Sequence, residues 1–333
     1  MANNRIFYAV VGVGIAPLGH TAFFSVKGLQ TLGINTRFNL QQVFEIGQID
    51  LYENYEDIPE AEATLEKVLD GTCPVYMYAT SGAADATLVG RSAKRATLAV
   101  TFHTDTQSSA SGTPLAQMTM SGVYCSALGY NFVVDGPFTE SVTLVCNDKS
   151  WLTSSFTFTP NFTNLDSPLA AEGVNRRQHL LMGDCRFPTE IPGISSSGTN
   201  NLASNEYGVH FQSIRHSVNL GRNNLLELGR KAPYFRYIQF PTEVRTDYEI
   251  NNITGDRVNA REESSNLTNQ TIITDTTEGL RINCGTKNKL ASVTYGGANA
   301  TNQGGNATTT YSYTNFNIMT VTHPQDCTAA IAA

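Results

Sequence analysis

The side chains of this 333-residue chain that could do chemistry are six cysteines, six histidines and a run of carboxylates. Cys73, Cys125, Cys146, Cys185, Cys284 and Cys327 are scattered without a C-x-x-C pair, so neither a zinc finger nor a dithiol redox motif is spelled out. A disulfide framework belongs to short secreted chains, and free thiols are the expectation at this length. His210 and His216 stand six apart and would share a face of a straight strand, but no Cys or acid lies at matching parity to complete a metal site. Glu53, Glu56, Asp57, Glu60 and Glu62 lack the Asp-x-Asp-x-Asn-Gly order of a calcium loop and read as a solvated acidic face. Gly12-x-Gly14 has no third glycine, and Pro17 stands where a phosphate-binding helix would open, so this segment reads as a strand end. Walker, nucleophile-elbow and H-E-x-x-H patterns are missing. No catalytic, cofactor-binding or metal residue is therefore assigned, and the expectation is a non-enzyme without cofactors.

The elements that would carry these residues are strands. Charged residues make up only 15% of the chain, against about 25% in ordinary soluble domains. Thr, Ser, Asn and Gly, which suit strands and turns, take their place. With 22 Lys+Arg and 29 Asp+Glu the net charge is −7, which argues against a general nucleic-acid binder, since neutralising phosphates requires clustered bases. The apolar stretch 6–19 is broken by glycines and Pro17 and is short of the ~20 residues a membrane span needs. Its branched and aromatic residues favour a strand over a signal peptide.

The chain also repeats itself. Shifting it by 182 residues lays 30–64 on 212–246 with 7 identities in 35 positions, where about 2 are expected from composition. These are Gln30/Gln212, Glu45/Glu227, Gly47/Gly229, Tyr52/Tyr234, Tyr55/Tyr237, Pro59/Pro241 and Thr64/Thr246. The pattern predicts two tandem domains, 1–155 and 205–333, joined by a Pro/Asn/Ser-rich linker or insert over 156–204. Each domain is expected to be mainly antiparallel β with about one helix, the first at 82–94 after Ser81. The segments 123–148 and 290–321 each read as two strands around a Gly-containing turn. One conflict stands out: Glu60, Glu62 and Glu66 occupy the opposite parity from Glu243, Arg245, Asp247 and Glu249 under the same alignment, which calls for a bulge near the shared proline.

The passages 32–71 and 210–256 resemble the tail tube proteins of tailed bacteriophages. That resemblance implies two tandem β-sandwich or half-barrel domains, each with a long β-hairpin, the hairpins joining into a barrel around a channel. It further implies that three duplicated chains supply a pseudo-hexameric ring, that rings stack, and that viral DNA passes without specific binding. The implied partners are copies of the chain itself and sheath, terminator or baseplate proteins, with no membrane. The implied location is the virion tail, assembled in the host bacterial cytoplasm. Glu53, Glu56, Glu60, Glu62 and Glu66 are the expected lumen-facing acids, because residues 45–70 hold nine acids and one base and an acidic wall would not retain phosphates. Glu45–Gly47 and Glu227–Gly229 are expected at equivalent hairpin bends, with the shared Tyr, Pro and Thr pairs at inter-subunit positions. The alternatives are a terminator or baseplate ring of the same fold, or a secreted β-sandwich adhesin.

Overall fold

The structure, a computed structural model, describes residues 4–17, 20, 22–83, 85–109, 112–160, 173–194, 209–253, 255–259, 269–296 and 306–324. It is mainly β. The first half contains β1 (Val11–Pro17), β2 (Phe24–Ser25), β3 (Leu29–Arg37), β4 (Leu40–Phe44), β5 (Leu51–Glu56), β6 (Glu60–Val68), β7 (Ala96–Phe102), β8 (Ala116–Val133), β9 (Thr139–Cys146) and β10 (Asp148–Leu152), with two short helices, α1 (Val75–Ala79) and α2 (Leu88–Arg91). The second half contains β11 (Phe211–Asn219), β12 (Arg222–Leu225), β13 (Phe235–Ile238), β14 (Glu243–Asn251), β15 (Ile273–Asp275), β16 (Arg281–Asn283), β17 (Lys289–Gly296), β18 (Thr308–Phe316) and β19 (Thr320–Thr322).

Eight strands run side by side in the order β3-β6-β9-β8-β11-β14-β18-β17, every pair antiparallel. Alternation fixes which face is covered. In β6, Ala61, Ala63, Leu65 and Lys67 are buried while Glu60, Glu62, Thr64 and Glu66 turn outward. In β14, Val244, Thr246, Tyr248 and Ile250 are buried and Glu243, Arg245, Asp247 and Glu249 turn outward. The covered face packs on a second layer. Under the first half this is the sheet β2-β1-β7-β8, which contributes Val13, Ile15, Leu98, Val100 and Met118. Under the second half it is the three-stranded sheet β15-β16-β19, which contributes Ile282 and Val321. Each such side chain contributes about 1.5–3 kcal/mol on full burial.

Strand β8 belongs to both layers. Its residues 116–123 pair with β7 and β10, and its residues 124–133 with β9 and β11. Gly122, next to the change of partners, has φ +62°, a left-handed geometry that costs other residues roughly 1–2 kcal/mol.

The eight-stranded sheet is two four-stranded units in the same internal order. Strands β3 and β11 start and end 182 residues apart. Strands β6 and β14 correspond with an offset of 183: Leu32 faces Leu65 and Ile214 faces Tyr248, while Ile34 faces Ala63 and His216 faces Thr246. The hairpins before them still obey 182, since Leu40 faces Glu56 and Arg222 faces Ile238. One extra residue therefore lies at the joint beside the proline, in 239–242 as against 57–59, and it removes the parity conflict. The register shifts recur as well, at Leu29/Thr31 and Phe211/Ser213, and again at Cys125/Ala127 and Leu290/Ser292.

Several expectations are corrected. The helix at 82–94 shrinks to α2, because Asp85 accepts from the Thr87 amide (2.9 Å) and hydroxyl (2.5 Å) and Thr87 then caps the Gly90 amide (3.0 Å). That local bonding ends the non-helical turn only at Thr87. No α-helix occurs in the second half among the described residues, where three short strands form the second layer instead. Residues 173–194, inside the stretch of linker composition, bury Cys185, Phe187 and Ile191, with Phe187 stacked on Phe211 at 4.7 Å; 161–172 and 195–208 lie outside the described residues. Cys125, Cys146, Cys185 and Cys284 are buried free thiols, but Cys73 is disulfide-bonded, a pairing that linear spacing could not reveal.

Candidate functional site

Three surface features distinguish the molecule: two projecting hairpins, one charged sheet face and two unpaired sheet edges. Among the described residues strands β4 and β5 pair only with each other, as do β12 and β13. Glu45-Ile46-Gly47 and Glu227-Leu228-Gly229 sit at their tips, with Gly47 at φ +93° and Gly229 at φ +89°. The matched glycines supply the same left-handed bend twice. Ile46 and Leu228 are fully exposed, and Phe44, Ile49 and Leu226 are exposed beside them. Tyr52, Tyr55, Tyr234 and Tyr237 are exposed along the hairpins. Such a concentration of exposed apolar side chains makes the hairpins a candidate contact surface. Lys231 of the second hairpin reaches Glu56 of the first at 3.3 Å.

The shared Pro and Thr positions have different fates. Pro59 and Pro241 lie in the joints between hairpin and sheet, and the Pro59 carbonyl accepts from Asn147 Nδ2 at 2.8 Å. Thr64 faces outward, whereas Thr246 is buried against His216, so this pair is not equivalent. The one-residue insertion makes Ala63 the counterpart of Thr246.

The five acids expected to act together divide into two groups. Glu60, Glu62 and Glu66 lie on the outward face of the sheet, and Glu53 and Glu56 on the projecting hairpin. Ala61 and Ala63 are core residues and present no face to a channel. Glu60 pairs at 3.1 Å with Arg236, whose side chain is almost fully buried. Thr31 donates to Glu66 at 3.4 Å, and the corresponding Ser213 donates to Glu249 at 3.0 Å. Arg245, the counterpart of Glu62, pairs with Asp247 at 2.8 Å. Glu60, Glu62, Glu66, Glu243, Asp247 and Glu249 share this face with Arg37, Arg215, Arg245 and Lys289. Six carboxylates against four bases leave −2 per chain.

The buried ionisable groups are structural. Glu140 accepts from the Val75 amide (2.6 Å), the Tyr76 amide (3.1 Å) and the Tyr130 hydroxyl (2.9 Å), which anchors the start of α1. Lys67 reaches Asp70 at 3.3 Å and the Cys73 carbonyl at 3.0 Å. Burial raises the Glu140 carboxyl and lowers the Lys67 ammonium from their ordinary ranges. Their partners are consumed within the fold. Sequence reasoning missed this network because only the period-two pattern of β6 and β9 places Lys67 opposite Glu140 on the covered face. His210 and His216 do not share a face: the register shift between Phe211 and Ser213 separates them, leaving His210 exposed and His216 buried. His216 bonds Thr246 and Thr274, each at 2.9 Å, and burial pushes its pKa down to about 4. Among the described residues no three His, Cys, Asp or Glu gather as a metal site, and no helix is long and apolar enough to cross a membrane.

The sheet ends in two unpaired strands. Among the described residues strand β3 pairs only with β6, and β17 only with β18. Inward-facing Leu32, Ile34, Thr36, Leu290 and Val293 are half-buried there and Tyr295 is 51% exposed. Their counterparts Ile214, His216, Val218, Cys125, Leu128 and Tyr130 are fully covered.

No protein-family model matches the chain, and no curated protein matches it. Among solved structures it is similar to a chain of the anti-feeding prophage (AFP) baseplate, determined by cryo-EM and 6-fold symmetrised. That likeness has a TM-score of 0.35 and 12% identity, and it covers 45% of this chain and 97% of the other. At that distance it carries no functional weight.

Proposed function

We propose that this chain is a structural subunit of a phage-type tail that closes into rings and stacks them into a tube for genome passage. The observation that carries this reading is the tandem sheet: two units with one internal order already joined edge to edge, leaving the first strand of one and the last strand of the other unpaired among the described residues. An open edge is an aggregation liability unless blunted or paired, and ring closure removes it. Three chains would supply 24 strands from eight each. At about 4.8 Å spacing and ~40° tilt their backbone ring would be roughly 48 Å across, wide enough for hydrated duplex DNA. The outward face would line the channel with hydroxyls, amides and a net negative charge, which holds phosphates off the wall. The apolar hairpin tips would bury themselves between rings. The resemblance of 32–71 and 210–256 to tail tube proteins supports the same reading.

Negative-stain microscopy of the purified chain tests it. Long tubes of stacked rings are expected. Single rings that never elongate would favour a terminator or baseplate role, and monomers at every concentration would refute both.

A further inference from the structure

The contact between the two units is an internal instance of how one unit meets the next. Strand β8 pairs antiparallel with β11 so that Asn131 faces Arg215, Tyr130 faces His216, Gly129 faces Ser217, Leu128 faces Val218 and Ala127 faces Asn219. The repeat assigns each of these residues a counterpart on a free edge. Positions in β8 map to β17 165 residues later, since Cys125 and Leu128 hold the places of Leu290 and Val293. Positions in β11 map to β3 182 residues earlier. Resting on the ring reading, we infer that β17 of one copy pairs antiparallel with β3 of a second copy in one register: Gly296 with Gly33, Tyr295 with Ile34, Thr294 with Asn35, Val293 with Thr36 and Ser292 with Arg37.

Four observations converge on this register. Parity agrees, because Tyr295 and Val293 face the covered side together with Ile34 and Thr36. A one-residue slip would set a covered-side residue opposite an outward one at every pair. Between the register shift at one end of each edge strand and the single charges Arg37 and Lys289 at their limits, no proline or charged residue interrupts 31–36 or 292–296. Beside β3 lies an open groove whose lining includes the apolar Val13, Val26, Leu32, Ile34 and Phe102 together with Lys27 and Gln30. Tyr295 would enter it, and its counterpart Tyr130 is 1% exposed within the junction. Finally, Gly33 and Gly296 replace the Arg215–Asn131 pair, whose side chains bond at 3.2 Å. The joint between copies thereby loses a side-chain link and becomes more separable than the internal one.

Cysteine pairs in the full chain decide the register. Asn35 and Thr294 are outward, exposed and at opposite ends of the sheet, so a bond between them can form only between copies. Directly opposed Cβ atoms lie about 4.5–5.5 Å apart, close to disulfide reach, whereas diagonal ones lie about 7–8 Å apart. Mild oxidation of Asn35→Cys/Thr294→Cys is expected to give dimers and closed trimers on a denaturing gel, with at least tenfold lower yield from Asn35→Cys/Ser292→Cys. Equal yields, or a higher yield from the second pair, would overturn the register. Rings or tubes in the microscope with no crosslink from either pair would overturn it while leaving the ring reading intact. Register-specific crosslinks in chains that never form rings would uphold the pairing and defeat the ring reading.

Discussion

Replacing Glu62 and Glu66 with lysine reverses two carboxylates on the face assigned to the channel while sparing Glu60, which pairs with the buried Arg236. The sheet should accept the change, because Arg245 already occupies the position in the second unit that Glu62 holds in the first. Only the Thr31–Glu66 hydrogen bond, 3.4 Å long, is lost. The face goes from −2 to +2 per chain, and a three-chain ring from −6 to +6. Each ring gains six lysines, and at about 0.9 per phosphate contact the slope of log binding against log salt steepens by at most ~5. The assay is cosedimentation of short duplex DNA with assembled tubes between about 50 and 200 mM salt, followed by nuclease digestion. Wild-type tubes should pellet little DNA. Variant tubes should retain it at low salt, release it at high salt and shield it from nuclease. Retained DNA that is fully digested would place the two residues outside the channel, and no retention at any salt would refute their facing DNA at all.

Other outcomes follow from the same geometry. Ile46→Ser and Leu228→Ser should leave the melting temperature of the unassembled chain nearly unchanged, yet each should raise the concentration needed for tubes about tenfold or more, since burying such a side chain is worth about 1.5–3 kcal/mol; unchanged assembly would remove the tips from the ring contact. His216 stays neutral when folded, with its pKa near 4, but titrates at ~6.5 when unfolded, so the folded state binds fewer protons across that window and stability rises with pH through it. At 1.36 kcal/mol per pKa unit, about 3 kcal/mol is lost as pH falls from ~6.5 to ~4, and denaturant titrations of His216→Gln should show a correspondingly shallower acid loss. Glu140→Ala should destabilise by roughly 1–3 kcal/mol, because it leaves the buried Val75 and Tyr76 amides and the Tyr130 hydroxyl without their acceptor; Glu140→Gln, which keeps an acceptor oxygen, should lose less in equilibrium unfolding.

The repeat of the hairpins was legible because part of its signal lay in residues that backbone geometry demands, the glycines at φ +93° and +89°. The alternation of β6 and β14 likewise marks which side of the sheet is covered. What could not be read was set by register. An ungapped alignment paired Thr64 with Thr246, and only strand pairing exposes the extra residue at 239–242 that puts them on opposite faces. Helix α1 was missed because VYMYA has the composition of a strand, while its amides are held by Glu140, 65 residues away from Val75. The candidate acids were found as one cluster along the chain, but the hairpin carries Glu53 and Glu56 away from the sheet face.

The measurement that bears most directly on the tube proposal is a cryo-EM reconstruction of whatever the purified full-length chain assembles. The expected result is stacked rings of three chains, each ring a continuous 24-stranded barrel from eight strands per chain, with Glu62 and Glu66 on its inner wall. Six complete chains per ring, a ring closed through surfaces other than β3 and β17, or a chain that stays monomeric at every concentration would contradict it.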